Sequence, residues 1–66
     1  MKLIMRSEYD NLRLNQAHQC ESDTNGDKQV VKIYCNEKLI AKRVKHKKTT
    51  RYFGIPEYQE YISDPD

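Results

Sequence analysis

Residues 29–55 run QVVKIYCNEKLIAKRVKHKKTTRYFGI and read as three consecutive antiparallel strands. The first, 30–35, is rich in the β-branched and aromatic side chains that fit a pleated, half-buried surface. Side chains alternate across a strand, so Val31, Ile33 and Cys35 share one face and Val30, Lys32 and Tyr34 the other. A turn at 36–38 follows, where Asn36 tolerates left-handed backbone. The second strand spans 39–45. Residues 46–48 make a second turn although they contain no Gly, Pro, Asn or Asp. The third strand spans 49–55, with Gly54 ending it or forming a bulge.

On the N-terminal side, residues 21–28 contain no apolar side chain and include the turn dipeptide Asn25-Gly26, so they read as a loop. Before them, Ser7 and Asp10 have the spacing of a capping box, and Glu8 is acidic in the first turn. Tyr9, Leu12, Gln16 or Ala17, and Cys20 then fall on one helical face. The alternation Leu12-Arg13-Leu14 leaves a strand as the alternative over 7–20. Residues 1–5 either add an edge strand or pack on the core. On the C-terminal side, Pro56 suits the first position of a helix. Tyr58, Tyr61 and Ile62 would face the sheet, and Ser63, Asp64, Pro65 and Asp66 would end that helix and fray. The expected architecture is a single small α+β domain over residues 1–66. It is a three-stranded antiparallel β-meander with an N-terminal helix and a short C-terminal helix on one face, the other face being left for solvent or a partner.

The bulk composition bounds the function. A chain of 66 residues with 36% hydrophobic and 33% charged residues has a thin core, offset by five Tyr and one Phe. Domains this small hide only about 60% of the surface of the unfolded chain. That leaves no room for a deep, well-supported catalytic pocket, and the expectation is a protein that is not an enzyme. The longest apolar runs, such as Leu3-Ile4-Met5, have three residues, far short of the roughly 20 residues of a membrane span, and short of a signal-peptide core. The expectation is a cytoplasmic protein with no membrane partner. Cys20 and Cys35 are expected as reduced thiols, although their spacing permits a disulfide.

The net charge of +2 conceals strong segregation. Residues 1–27 carry −2, residues 28–51 carry +8, and residues 52–66 carry −4. Like charges crowded into one stretch repel and destabilise the compact state, whereas an anionic partner turns the same crowding into attraction. A solvated edge strand that uses Lys to block aggregation accounts for the same pattern without a partner.

These residue types admit three kinds of chemistry. His18, Cys20, Cys35 and His46 are a donor set suited to zinc, but His18-x-Cys20 is not a usual ligand pair and the others stand alone, so neither metal nor cofactor is expected. Either thiol with a His could support nucleophilic catalysis, but no local signature accompanies them and there is no Gly-rich phosphate loop. The third is nucleic-acid binding. Lys42, Arg43, Lys45, Lys47, Lys48 and Arg51 would neutralise phosphates, Thr49 and Thr50 would hydrogen-bond them, and Tyr52 would stack on a base. A basic hairpin tip at 45–49 suits the major groove, which favours DNA over RNA.

The sheet-then-helix order looks like the sheet-type DNA-binding modules of phage integrases. A basic hairpin leading into a short helix is similar to the wing of excisionase-like proteins. Both are analogies of fold and transfer no residue. The leading expectation is a small non-catalytic nucleic-acid-binding accessory or regulatory protein. The alternative is a protein-binding module, an inhibitor or adaptor of the kind phages and mobile elements carry, that meets an acidic protein surface. A homodimer formed by pairing an exposed strand is compatible with either.

Overall fold

A computed structural model describes residues 1–62 of the chain. The elements run in the order β1 (Lys2–Leu3), α1 (Arg6–Leu14), β2 (Gln19–Asn25), β3 (Lys28–Cys35), β4 (Lys38–His46), β5 (Thr49–Gly54) and a 3₁₀ turn (Tyr58–Tyr61). The class is α+β, but the sheet has five antiparallel strands in the order β1-β5-β4-β3-β2, which corrects the expected three-stranded meander.

The two additional strands have different causes. Residues 1–5 do form an edge strand: Lys2 pairs with Gly54 and Leu3 with Phe53, and the Ile4 amide donates to the Tyr52 carbonyl at 2.9 Å. Residues 21–25, expected in a loop, belong instead to β2, in which every residue is exposed. The cause is Gly26-Asp27, which forms a two-residue hairpin turn with Gly26 at φ +60. Such a turn sets the register of both flanking strands. Residues 19–25 then pair with β3 through the backbone, without an apolar side chain needing burial. Glu21 stands opposite Lys32, a favourable cross-strand charge pair.

The helix is shorter than expected and is capped elsewhere. It begins at Arg6, and the Met5 amide, not a Ser7 cap, is held by the Glu8 carboxylate at 2.9 Å. It ends at Leu14, so Tyr9 and Leu12 are its buried stripe and Cys20 lies on β2. The second helix is a single 3₁₀ turn rather than an α-helix, and its expected end at residues 63–66 lies outside the described residues.

One face of the sheet carries the core. Tyr9 and Leu12 of α1 and Tyr58 of the 3₁₀ turn meet Ile33, Ile40 and Ala41, with Ile4, Cys35, Tyr52 and Ile55 packed around them. The register pairs Ile33 with Ala41 and Tyr34 with Leu39, so Ile40 is an extra residue in β4. A bulge of this kind lets two successive side chains turn to the same side. Ile40 and Ala41 are accordingly both fully buried. Gly54 ends β5 where a Cβ would lie 3.1 Å from Tyr58 Cβ and 3.2 Å from Ile4 Cγ2, so a larger residue would push on the 3₁₀ turn and on the Ile4 side chain, and glycine lets them approach closely.

Candidate nucleic-acid interface

The antiparallel register sorts the basic residues by face. Directly opposed residues share a face. The rows Leu3–Phe53–Lys42–Lys32–Glu21 and Arg51–Val44–Val30–Asp23 therefore lie on the side away from α1. The row Thr49–His46–Lys28–Asn25 joins them at one end, and Leu39–Tyr34–Gln19 at the other. No described element packs over this open face. On β3, β4 and β5 it carries Lys28, Lys32, Lys42 and Arg51 and not one carboxylate. Among the described residues the only ion pair within 4.0 Å is Arg6–Asp10 on α1 at 3.7 Å, so these four cations form no close ion pair there, and the acids of the same face, Glu21 opposite Lys32 and Asp23 opposite Val30, stand on the β2 edge. Lys42 Nζ lies 5.5 Å from the Phe53 ring centroid, a cation–π contact between neighbouring strands.

The expected site residues divide between the two faces. Lys42, Thr49 and Arg51 lie on the open face, and Lys47 and Lys48 form the exposed β4–β5 turn. Lys45 is exposed on the helix side of the sheet, opposite Gln29 and Thr50. Arg43 and Tyr52 are opposite each other on the helix side. Tyr52 is half-buried with its ring centroid 5.2 Å from that of Tyr9, and Arg43 Nη2 donates to Gln29 Oε1 at 3.3 Å. The aromatic rings on the open face are those of Phe53, between Leu3 and Lys42, and Tyr34, opposite Leu39. Lys28, Lys32 and Phe53 were not among the expected contacts. The alternation that put Lys32 with Val30 and Tyr34 already marked Lys32 as facing away from Ile33.

The β2–β3 and β4–β5 turns emerge side by side, since Lys28 pairs with His46 and the Lys47 amide donates to the Asp27 carbonyl at 3.3 Å. This end gathers Lys28, Lys45, Lys47 and Lys48 around Asp27, all of them exposed. Glu57 and Glu60 belong to the opposite end. There Tyr61 meets Lys38 Nζ at 6.0 Å and the His18 ring at 6.2 Å. The described part of the acidic C-terminal segment therefore leaves the basic end unneutralised.

Glu8, Tyr58 and His18 make contacts that hold elements of the fold together. Tyr58 donates a short hydrogen bond to Glu8 Oε2, tying the 3₁₀ turn to α1. That bond, with the Met5 amide, holds the Glu8 carboxyl below its ordinary range, and the same contact raises the Tyr58 phenol. His18 Nδ1 is 2.8 Å from the Leu12 carbonyl. Cys20 and Cys35 are free thiols, and no group of three or more His, Cys, Asp or Glu side chains converges among the described residues. No helix is long and apolar enough to cross a membrane among those residues. No family model, no curated protein and no solved structure matches this chain.

Proposed function

We propose that the protein binds nucleic acid, with no chemical step of its own, through the open face of β3–β5 and the basic end of the sheet. The observation that carries this reading is the set of Lys28, Lys32, Lys42 and Arg51 on one face, free of carboxylates on those strands and interleaved with Phe53 and Tyr34. Cations at neighbouring positions repel one another, and a polyanion relieves that repulsion while releasing its counterions. Phe53 takes the stacking role that the sequence suggests for Tyr52, because a base can reach only a ring that the helix leaves open. Lys47 and Lys48 extend the footprint past the sheet. The projecting β4–β5 turn with Lys47 and Lys48, rather than the broad sheet face, is the part suited to the major groove of B-DNA, which keeps duplex DNA ahead of RNA.

A protein partner is the second reading. Leu3, Val30, Val44 and Phe53 lie on the same face, and Leu3 is 64% exposed. Such apolar ground under a rim of cations suits docking onto an acidic protein surface.

Fluorescence-anisotropy titration separates the two. Labelled duplex DNA, single-stranded DNA and RNA are titrated at about 50 and 200 mM salt, the range in which phosphate contacts reveal themselves. Micromolar or tighter binding that weakens steeply with salt supports the proposal. No binding to any of the three at the lower salt rejects it and moves the search to a protein partner.

A further inference from the structure

Backbone hydrogen bonding leaves one long edge of the sheet open. β2 lies at the end of the strand order, and among the described residues nothing pairs with its outer side. The Gly26-Asp27 turn fixes which groups face outward. The pair that closes a two-residue hairpin, here Asn25 and Lys28, is hydrogen-bonded, and bonded and non-bonded pairs alternate from there. Asp23, Glu21 and Gln19 therefore direct their N–H and C=O to β3, whereas those of Thr24, Ser22 and Cys20 point away from the sheet. Natural edge strands are commonly short, bent by a bulge, or guarded by Lys or Pro. β1, the opposite edge, has two residues and carries Lys2. β2 has seven residues, all exposed, with neither Lys nor Pro and an unbroken register against β3.

The side chains of this edge decide what can pair with it. Cys20, Ser22 and Thr24 share the helix side with Ile33 and Val31, and Glu21 and Asp23 share the open side. Among the described residues neither carboxylate forms an ion pair within 4.0 Å. In an added antiparallel strand, the residues opposite Glu21 and Asp23 would form the non-hydrogen-bonded pairs, whose side chains come closest. A second copy of β2 is a poor occupant. Any two-fold pairing that uses most of the strand sets Glu21 against Asp23, Glu21 against Glu21, or Asp23 against Asp23. Like charges directly opposite are destabilising. Head-to-tail pairing between copies fails too, because β1 is too short to form its other half. A strand with Lys or Arg at two alternate positions meets neither obstacle and gains cross-strand charge pairs.

We propose that the outer edge of β2 takes up an extended basic segment of another protein as a sixth, antiparallel strand, with Lys or Arg opposite Glu21 and Asp23. Main-chain hydrogen bonds at Cys20, Ser22 and Thr24 give the affinity, and the two carboxylates select the partner. The site uses the β2 edge and none of the cations of β3–β5, so it stands apart from the nucleic-acid reading.

The test is a nuclear magnetic resonance titration of the ¹⁵N-labelled full chain with three capped seven-residue peptides at constant ionic strength. The first alternates Thr with Lys, the second alternates Thr with Glu, and the third is the first with Pro for its two inner Thr residues. Saturable shifts and slowed hydrogen exchange at the Cys20, Ser22 and Thr24 amides are expected with the Lys peptide, with Kd on the order of millimolar. The Glu and Pro peptides should bind about tenfold more weakly or not at all. Glu21→Gln with Asp23→Asn should weaken the Lys peptide about fivefold, the loss of two cross-strand charge pairs. Ser22→Pro removes an outward N–H and leaves the ladder to β3 in place, so it should abolish binding. The Gln/Asn variant decides the matter if Ser22→Pro does not fold. Equal binding of the Glu peptide, equal binding of the Pro peptide, or no saturable shift at the three amides overturns the proposal. Protection of those amides in the free protein that rises with its concentration overturns it in favour of a second copy.

Discussion

At the scale of single residues, the turns hold the clearest backbone costs. Asn36 and Glu37 have φ of 51 and 68, and Lys47 has φ of 54, all in the left-handed region. For an L-residue that conformation costs about 1–2 kcal/mol, while glycine gives up about 0.5–1 kcal/mol of backbone entropy. Two positive φ values in a two-residue hairpin define the turn that favours Asn-Gly. Glu37→Gly is therefore expected to stabilise the protein by roughly 0.5–1 kcal/mol, raising Tm by a few degrees in thermal unfolding followed by circular dichroism. An unchanged or lower Tm would contradict the turn geometry. A second residue-level prediction concerns pH. The Glu8 carboxyl is lowered in the folded state by Tyr58 and the Met5 amide, so its stabilisation is present above its unfolded value near 4.5 and is lost as pH falls through the lower folded value. Tyr58 is raised, so its share is present below 10.0 and lost as pH rises through the higher folded value. Urea midpoints measured from pH 6 to pH 3 should fall less steeply for Glu8→Gln than for the parent, and a parallel fall would deny Glu8 this role.

Among the elements, how much the sequence revealed depended on what stabilises each one. The strands of 29–55 were legible because β-branched residues alternate there, and the face assignment of Val31, Ile33 and Cys35 agrees with the pairing. β2 was not legible, because QCESDTN has no apolar alternation and owes its pairing to the Gly26-Asp27 turn. The Asn25-Gly26 signal fits the middle of a loop as well as the hairpin that it helps to close. The α1 stripe was overextended to Cys20 because spacing alone does not show that the chain leaves the helix at Asn15. Pro56 and the Tyr58–Tyr61 spacing predict an α-helix, and a 3₁₀ turn satisfies the same signals. Of the expected contacts, the lysines of the β4–β5 turn were readable from charge alone. The faces of Arg43 and Tyr52 depended on register, which the extra residue at Ile40 shifts. The same difference between elements predicts dynamics. β3 and β4 lie inside the sheet with Ile33 and Ile40 fully buried, whereas β2 is an edge with all seven residues exposed. Local openings follow such differences in burial. In amide hydrogen exchange the central amides of β3 and β4 should be the slowest and those of β2 should exchange well before global unfolding. Equal protection of β2 and β3 would mean that a second chain covers the β2 edge.

For the molecule as a whole, the question is which of two cationic surfaces would engage a polyanion. The described chain is elongated, 39 × 22 × 18 Å, with the turn lysines at one end and the open-face cations spread along the sheet. Contact by the end alone would engage few phosphates, and contact along the face would engage more. The slope of log K against log salt counts them, at about −0.9 per phosphate for duplex DNA. Two charge-reversal pairs separate the cases. Lys47→Glu with Lys48→Glu removes the end, and Lys32→Glu with Lys42→Glu removes the middle of the face. All four side chains lie outside the core, so the fold should survive in both variants, as circular dichroism would verify. If nucleic acid lies along the face, the face pair loses more affinity and flattens the salt slope more than the end pair does. Phe53→Ala should then weaken single-stranded binding by about 1–3 kcal/mol, the worth of one stacked base. If the end pair alone abolishes binding and Phe53→Ala changes nothing, only the hairpin tip touches the ligand. The apolar residues of the open face would then be left for another protein.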